Sequence, residues 1–192
     1  MNPETGRPLR AIIHRSAEIF RGRHFSFATE DLTLPNGRRT EMAMVRHPGS
    51  VGVVPLLGDG SVLMEYQYRH CIRDYLLEIP AGTLEPGELP LSCARRELLE
   101  ETGYTAAEFI ELGRTHILPA YSDELIHLYL ARGLTPSRER LDPDEIIHSR
   151  IYPINRLMEM IFAGQITDAL TILALQRTWF HLHGFSGSRT PI

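Results

Sequence analysis

Three glutamates, Glu97, Glu100 and Glu101, stand in the second half of a run, Pro90 to Thr102, that reads as one helix. Pro90 suits the first helical turn, the residues that follow are mostly good helix formers, and Gly103 falls where a left-handed cap belongs. At about 100° per residue, Leu91, Ala94, Leu98 and Thr102 share one face, with Glu97 and Glu101 side by side next to it and Glu100 further round. Arg96 and Glu100 are spaced to pair, but Glu97 and Glu101 form a like-charge pair that costs a few tenths of a kcal/mol. Glu100 and Glu101 also sit in the last turn, where the helix dipole disfavours negative charge. Helix stability therefore does not explain these carboxylates, and the bland alternative is a solvated acidic face. A hard divalent cation explains them better, because Mg²⁺ takes oxygen ligands and is held by a few carboxylates, waters and the phosphates of a substrate.

The spacing around the helix is specific. Gly82 is followed by five residues, Glu88, seven residues and then Arg96-Glu97-Leu98-Leu99-Glu100-Glu101-Thr102-Gly103-Tyr104. Residues 82–104 resemble the Nudix box, the signature of hydrolases that act on nucleoside diphosphates linked to another group. The likeness extends over nearly the whole chain. EYQYRH, LLEIPAGTLEPGE and LPAYSDE, the last with Pro119 fifteen residues past Tyr104, resemble the ADP-ribose pyrophosphatase subfamily. Ala120 stands where that subfamily commonly has glycine, and Tyr104 where an aliphatic residue is usual.

The resemblance implies roles residue by residue. Glu97, Glu100, Glu101 and the carbonyl of Ala81 would hold Mg²⁺, with Mn²⁺ as a substitute. Glu88 and Arg96 would tie loop to helix, with Gly82 and Gly103 as structural positions. Arg69 would meet the substrate phosphates, Glu78 would lie near the adenine or ribose, and Arg46 and Pro119 would complete the substrate contacts. Phe25, Tyr68 and Tyr121 stay open as stacking partners for the adenine. The general base would come from the acidic segment LDPDEIIHSR, with Glu145 first and Asp144 and Asp142 behind it; Glu100 and Glu101, besides holding the metal, would also be catalytic. The chemistry calls for such a set: a diphosphate repels nucleophiles until metals neutralise its oxygens and orient an acidified water, and a carboxylate must take the proton.

At 192 residues and 43% hydrophobic, the chain can bury one good core. A net charge of −4 and a pI near 6.1 give no general basic field for nucleic acid. Cys71 and Cys93 show neither metal spacing nor a disulfide framework. No run approaches membrane-spanning length, so the expectation is a soluble, cytoplasmic protein.

The order of the elements implies an α/β sandwich, and the resemblance implies that it is the Nudix α/β/α sandwich with a mixed sheet, preceded by a small antiparallel unit. Residues 1–16 read as a poorly ordered lead-in. Residues 19–45 carry strand signals around a turn at Pro35-Asn36-Gly37, too short of core for independent folding. A unit so small needs cover, and the resembling subfamily builds its adenine pocket from two chains, so residues 1–45 are expected to be an N-terminal unit for dimerisation and for the substrate pocket, and 46–192 the hydrolase domain. In the latter, VGVVPLL and SVLMEYQYR read as a hairpin joined by Gly58-Asp59-Gly60. Pro153 opens a helix stopped by Gly164, and Thr167 or Asp168 caps a last one. The resulting expectation is an Mg²⁺-dependent homodimer that cleaves ADP-ribose to AMP and ribose 5-phosphate, with no nucleic-acid or membrane partner. The alternatives are the same chemistry on GDP-mannose or another sugar-ADP, and an ADP-ribose-sensing module without turnover.

Overall fold

The computed structural model describes residues 8–137 and 146–184. The chain divides into two compact units, one of Met1–Pro48 with Leu118–Glu124, the other of Gly49–Ile117 with Leu125–Ile192.

The first unit is a three-stranded antiparallel sheet in the order β1-β2-β3, formed by Ile12–Arg21, Ser26–Thr33 and Arg39–Arg46. Among the described residues strand structure begins at Ile12, inside the stretch expected to be a poorly ordered lead-in, because β1 pairs with β2 from Ile12 opposite Thr33 to Arg21 opposite Ser26, with register shifts at His14 and Ile19. Along β2 burial alternates with the pleat, placing Ala28, Glu30 and Leu32 on the buried face. Phe27, Ile12, Ile19 and Phe20 are exposed.

The described residues of the second unit form two sheets and three helices. β4 (Ser50–Pro55), β7 (Ala81–Thr83), β8 (Tyr104–Thr115) and β9 (Ile126–Pro136) form a mixed sheet in the order β7-β4-β9-β8. β5 (Ser61–Arg69), β6 (Asp74–Glu78) and β10 (Ile147–Pro153) form an antiparallel sheet in the order β10-β5-β6. The expected β4-β5 hairpin is therefore not a paired ladder. The turn is present, with the Leu57 amide bonded to the Ser61 carbonyl at 2.8 Å, but beyond it the strands share only an isolated bridge between Leu56 and Val62. Both edges of β4 are already taken, by β9 in parallel and β7 in antiparallel register, so β5 must start a second sheet.

β4 is buried throughout, as a central strand covered on both faces must be. Val51 and Val53 pack with Cys93, Ala94 and Leu98 of α1 (Pro90–Thr102). Val54 joins the larger cluster on the opposite side, with Leu128, Leu157 and Leu175, the last two from α2 (Ile154–Phe162) and α3 (Ala169–Leu182). These layers make the α/β/α sandwich. Leu91, expected on the packing face of α1, is 40% exposed, and Cys93 is fully buried instead. The contact stripe runs along the rows 93-97-101 and 94-98-102. Asp168 caps α3 by accepting the Thr171 amide at 2.8 Å.

Candidate active site

β7 delivers the chain to a loop that returns at Pro90, so Ala81 and Gly82 face the second half of α1. Gly103 ends that helix in the left-handed region at φ 71°, its amide bonded to the Leu99 carbonyl. The acidic strip is not a solvated face. Glu97 is 7% and Glu101 1% exposed, while Glu100 lies at the margin with 36% of its side chain accessible. Glu101 accepts the Ala81 amide at 2.9 Å. The Glu97 carboxylate fills the space beside Gly82: a Cβ built there would lie 1.8 Å from its Cδ and Oε1. Gly82 does not need a positive φ, so its role is to leave room for that carboxylate.

Arg96 organises the surrounding charges. Its Nε and Nη2 donate to the two Glu88 oxygens at 3.0 and 2.9 Å. Nη1 donates to Glu97 at 2.7 Å and to Glu100 at 3.1 Å, and Nη2 also reaches the Thr83 carbonyl at 3.1 Å. Loop and helix are thereby tied through one planar fork. The guanidinium holds the Glu88 carboxyl down at about 2, and Glu88 in return raises the arginine further. Burial pushes the Cys93 thiol up, which leaves it a packing group and no nucleophile.

Arg69 and Glu78 form a second group, with Arg69 Nε 3.0 and 3.1 Å from the two Glu78 oxygens. Burial of Glu78 raises its carboxyl despite the arginine, as expected for a side chain only 5% exposed. Burial works against the Arg69 charge, but Glu78, with Glu101 and Asp168 in electrostatic reach, holds the group above its ordinary value. Arg69 is therefore felt by a carboxylate of the box helix although 32 positions separate them in sequence. Tyr68 packs edge-on against Tyr75 at 5.4 Å, and Phe25 and Tyr121 are 47% and 68% exposed.

Arg46 and Pro119 belong to the first unit. Arg46 donates through Nη1 to Asp123 at 2.8 Å and through Nη2 to Glu30, which is buried. Asp123 and Glu30 carry no assignment from sequence. Asp123 sits within LPAYSDE, but its partner is 77 residues away and nothing local announces it. Asp142, Asp144 and Glu145 lie outside the described residues.

The donor set around Gly82 suits a hard cation: carboxylate oxygens on one helix facing a backbone loop, two of them nearly buried. Among the described residues no group of three or more His, Cys, Asp or Glu side chains is placed to hold a metal ion by side chains alone. Mg²⁺ does not require one, since it keeps several waters and shares ligands with bound phosphates. The residues fit such an ion.

The NUDIX domain pattern matches residues 46–175. The chain belongs to the NUDIX family. It is 35% identical over 161 residues to the ADP-ribose pyrophosphatase of Bacillus subtilis (strain 168), covering 83% of this chain and 87% of that one. It is 37% identical over 164 residues to the methanol dehydrogenase activator of Bacillus methanolicus, covering 84% and 89%. A crystal structure of an ADP compounds hydrolase superposes with a TM-score of 0.80 over 93% of this chain and 97% of that one, at 23% identity, which shows the shared Nudix fold.

Proposed function

We propose that this Nudix hydrolase cleaves the diphosphate of ADP-ribose to AMP and ribose 5-phosphate with Mg²⁺. The observation that carries the reading is the pair of near-buried carboxylates, Glu97 and Glu101, set against the Ala81-Gly82 backbone with Arg96 tying the loop in place. The 35% identity to an ADP-ribose pyrophosphatase supports the substrate. Glu97, Glu100, Glu101 and the Ala81 carbonyl would hold the ion, which when bound neutralises phosphate oxygens and acidifies a water. Glu101 is kept in place by the Ala81 amide and Glu97 by Arg96. Arg69, oriented by Glu78, offers positive charge to the phosphates, and Arg46 and Pro119 contribute further substrate contacts. Glu145, with Asp144 and Asp142 behind it, supplies the base that takes the proton of the attacking water.

The assembly in this reading is a homodimer of a cytoplasmic protein, with residues 1–45 as its interface unit. The exposed Ile12, Ile19 and Phe20 of β1 support it, since isolated sheet faces of this kind need cover. Among the described residues no helix is long and apolar enough to cross a membrane. The test is a panel of nucleotide sugars with Mg²⁺, including ADP-ribose and GDP-mannose, with the monophosphate products resolved. ADP-ribose turned over with the highest kcat/KM supports the reading; a preference for GDP-mannose replaces the substrate and keeps the chemistry. The likeness to a methanol dehydrogenase activator supports a second reading, a module acting on a partner protein. Binding of ADP-ribose without turnover would favour it.

A further inference from the structure

The segment that carries Pro119 lies in sequence between β8 and β9, both strands of the second unit, yet it packs as part of the first. Its shape is a tight turn in which the amides of Tyr121 and Ser122 both donate to the Leu118 carbonyl at 2.9 Å. The turn is fastened to the free edge of β3. The Val45 amide donates to the Tyr121 carbonyl at 2.7 Å, the Asp123 amide returns a bond to the Val45 carbonyl at 3.3 Å, and Val45 and Ser122 form a parallel bridge. The Asp123 side chain adds two bonds, one at each oxygen: one accepts the His47 amide at 2.9 Å, the other accepts Arg46 Nη1 at 2.8 Å. Arg46 is in turn anchored by the buried Glu30 of β2.

We propose that Asp123 is a positioning residue for substrate recognition, locking the 118–124 turn to the end of β3 through Arg46 and His47 so that the N-terminal sheet sets where the turn presents its residues. This rests on the reading that the Pro119 segment contacts substrate. The backbone bonds at Val45 are few and lie at the edge of a small sheet, where local opening is cheap. The Asp123 carboxylate adds a guanidinium and a second backbone amide to these bonds, and hydrogen bonds to charged groups are about twice as strong as neutral ones. Specificity would then depend on a residue that touches no substrate atom.

The experiment compares wild type, Asp123→Asn and Asp123→Ala at saturating Mg²⁺, with ADP-ribose and GDP-mannose as substrates. Asp123→Ala should raise KM for ADP-ribose about 10-fold or more, leave kcat within about threefold and narrow the preference between the two substrates, whereas Asp123→Asn, which keeps one acceptor oxygen, should fall between. An unchanged KM in both variants, or a loss of kcat at constant KM, overturns the proposal. Hydrogen exchange on the wild type gives a reading free of folding defects. ADP-ribose should slow exchange at Val45 and His47 together with 118–124, and protection of the turn alone overturns the coupling. If the wild type turns over a different nucleotide sugar, the substrate reading fails by itself, and the same comparisons made with that sugar still decide the role of Asp123.

Discussion

Replacing Gly82 by alanine puts a methyl group where the Glu97 carboxylate lies. The new Cβ would sit 1.8 Å from Glu97 Cδ and Oε1 and 2.5 Å from Cγ. Non-bonded carbon atoms rest at about 3.5–4.0 Å, so the carboxylate must withdraw by roughly 1.5–2 Å. The backbone needs no adjustment, because Gly82 is not among the glycines with positive φ. The obstructing atoms are the end of a flexible side chain, so the fold should survive with a cost of about 1 kcal/mol, or a fall of roughly 2–4 °C in Tm for a chain of this size. Function should suffer far more, since a misplacement of about 1 Å in a positioned group costs on the order of 100-fold. The expected result is thus a fall in kcat of about 100-fold or more, with a raised Mg²⁺ requirement and a near-normal melting curve. The assay is ADP-ribose hydrolysis followed by product chromatography across a Mg²⁺ titration, paired with circular dichroism melts. A cycle with Glu97→Ala isolates the cause: if the methyl acts through Glu97, the two losses are strongly non-additive. Gly82→Ala activity within threefold of wild type, or losses that simply add, would refute the account of why glycine stands there.

Glu101→Gln should retain the bond from the Ala81 amide and the fold, yet lose orders of magnitude in kcat if Glu101 is a metal ligand as proposed, because a charge that would hold the ion is gone; near-normal turnover at saturating Mg²⁺ would remove Glu101 from the proposed ligand set. Glu88 gives a pH signature. Its carboxyl is held at about 2 in the folded chain against 4.5 ordinarily, so its stabilisation is complete above pH 4.5 and is lost as pH falls towards 2. Urea unfolding should find wild type more stable than Glu88→Gln by on the order of 2 kcal/mol at pH 7, with the gap closing below pH 4.5; a gap that widens on acidification contradicts the Arg96 pairing. Phe20→Glu, on the exposed strand β1, should shift a dimer to monomer in light scattering, and a wild type that is fully active as a monomer refutes the assembly.

The helices around the candidate site could be read from sequence because their signals are local. Helix α1 needs only Pro90, a run of good formers and Gly103, and α3 only the Asp168 cap, each satisfied within a few residues of itself. The Nudix box compresses loop, helix and carboxylates into 23 consecutive residues, so chemistry and spacing appear together. The pairing of Arg96 with Glu100 was legible from their spacing, whereas its stronger tie to Glu88 followed only from the resemblance. The tertiary structure decided what depends on burial and on distant partners. Periodicity placed Glu97 and Glu101 beside the packing face, but only the approach of β7 made them nearly inaccessible and turned Gly82 into a spatial requirement. The turn after β4 was evident, yet its strands part because β9, some 70 residues later, claims the edge a hairpin would use. Strand β1 lacks an alternating pattern of its own and is specified by pairing with β2. Arg46 and Asp123 are ordinary charges in sequence; the fold joins them across 77 positions, because hydrogen bonds between elements depend on where the core sends each chain segment, which no local window contains.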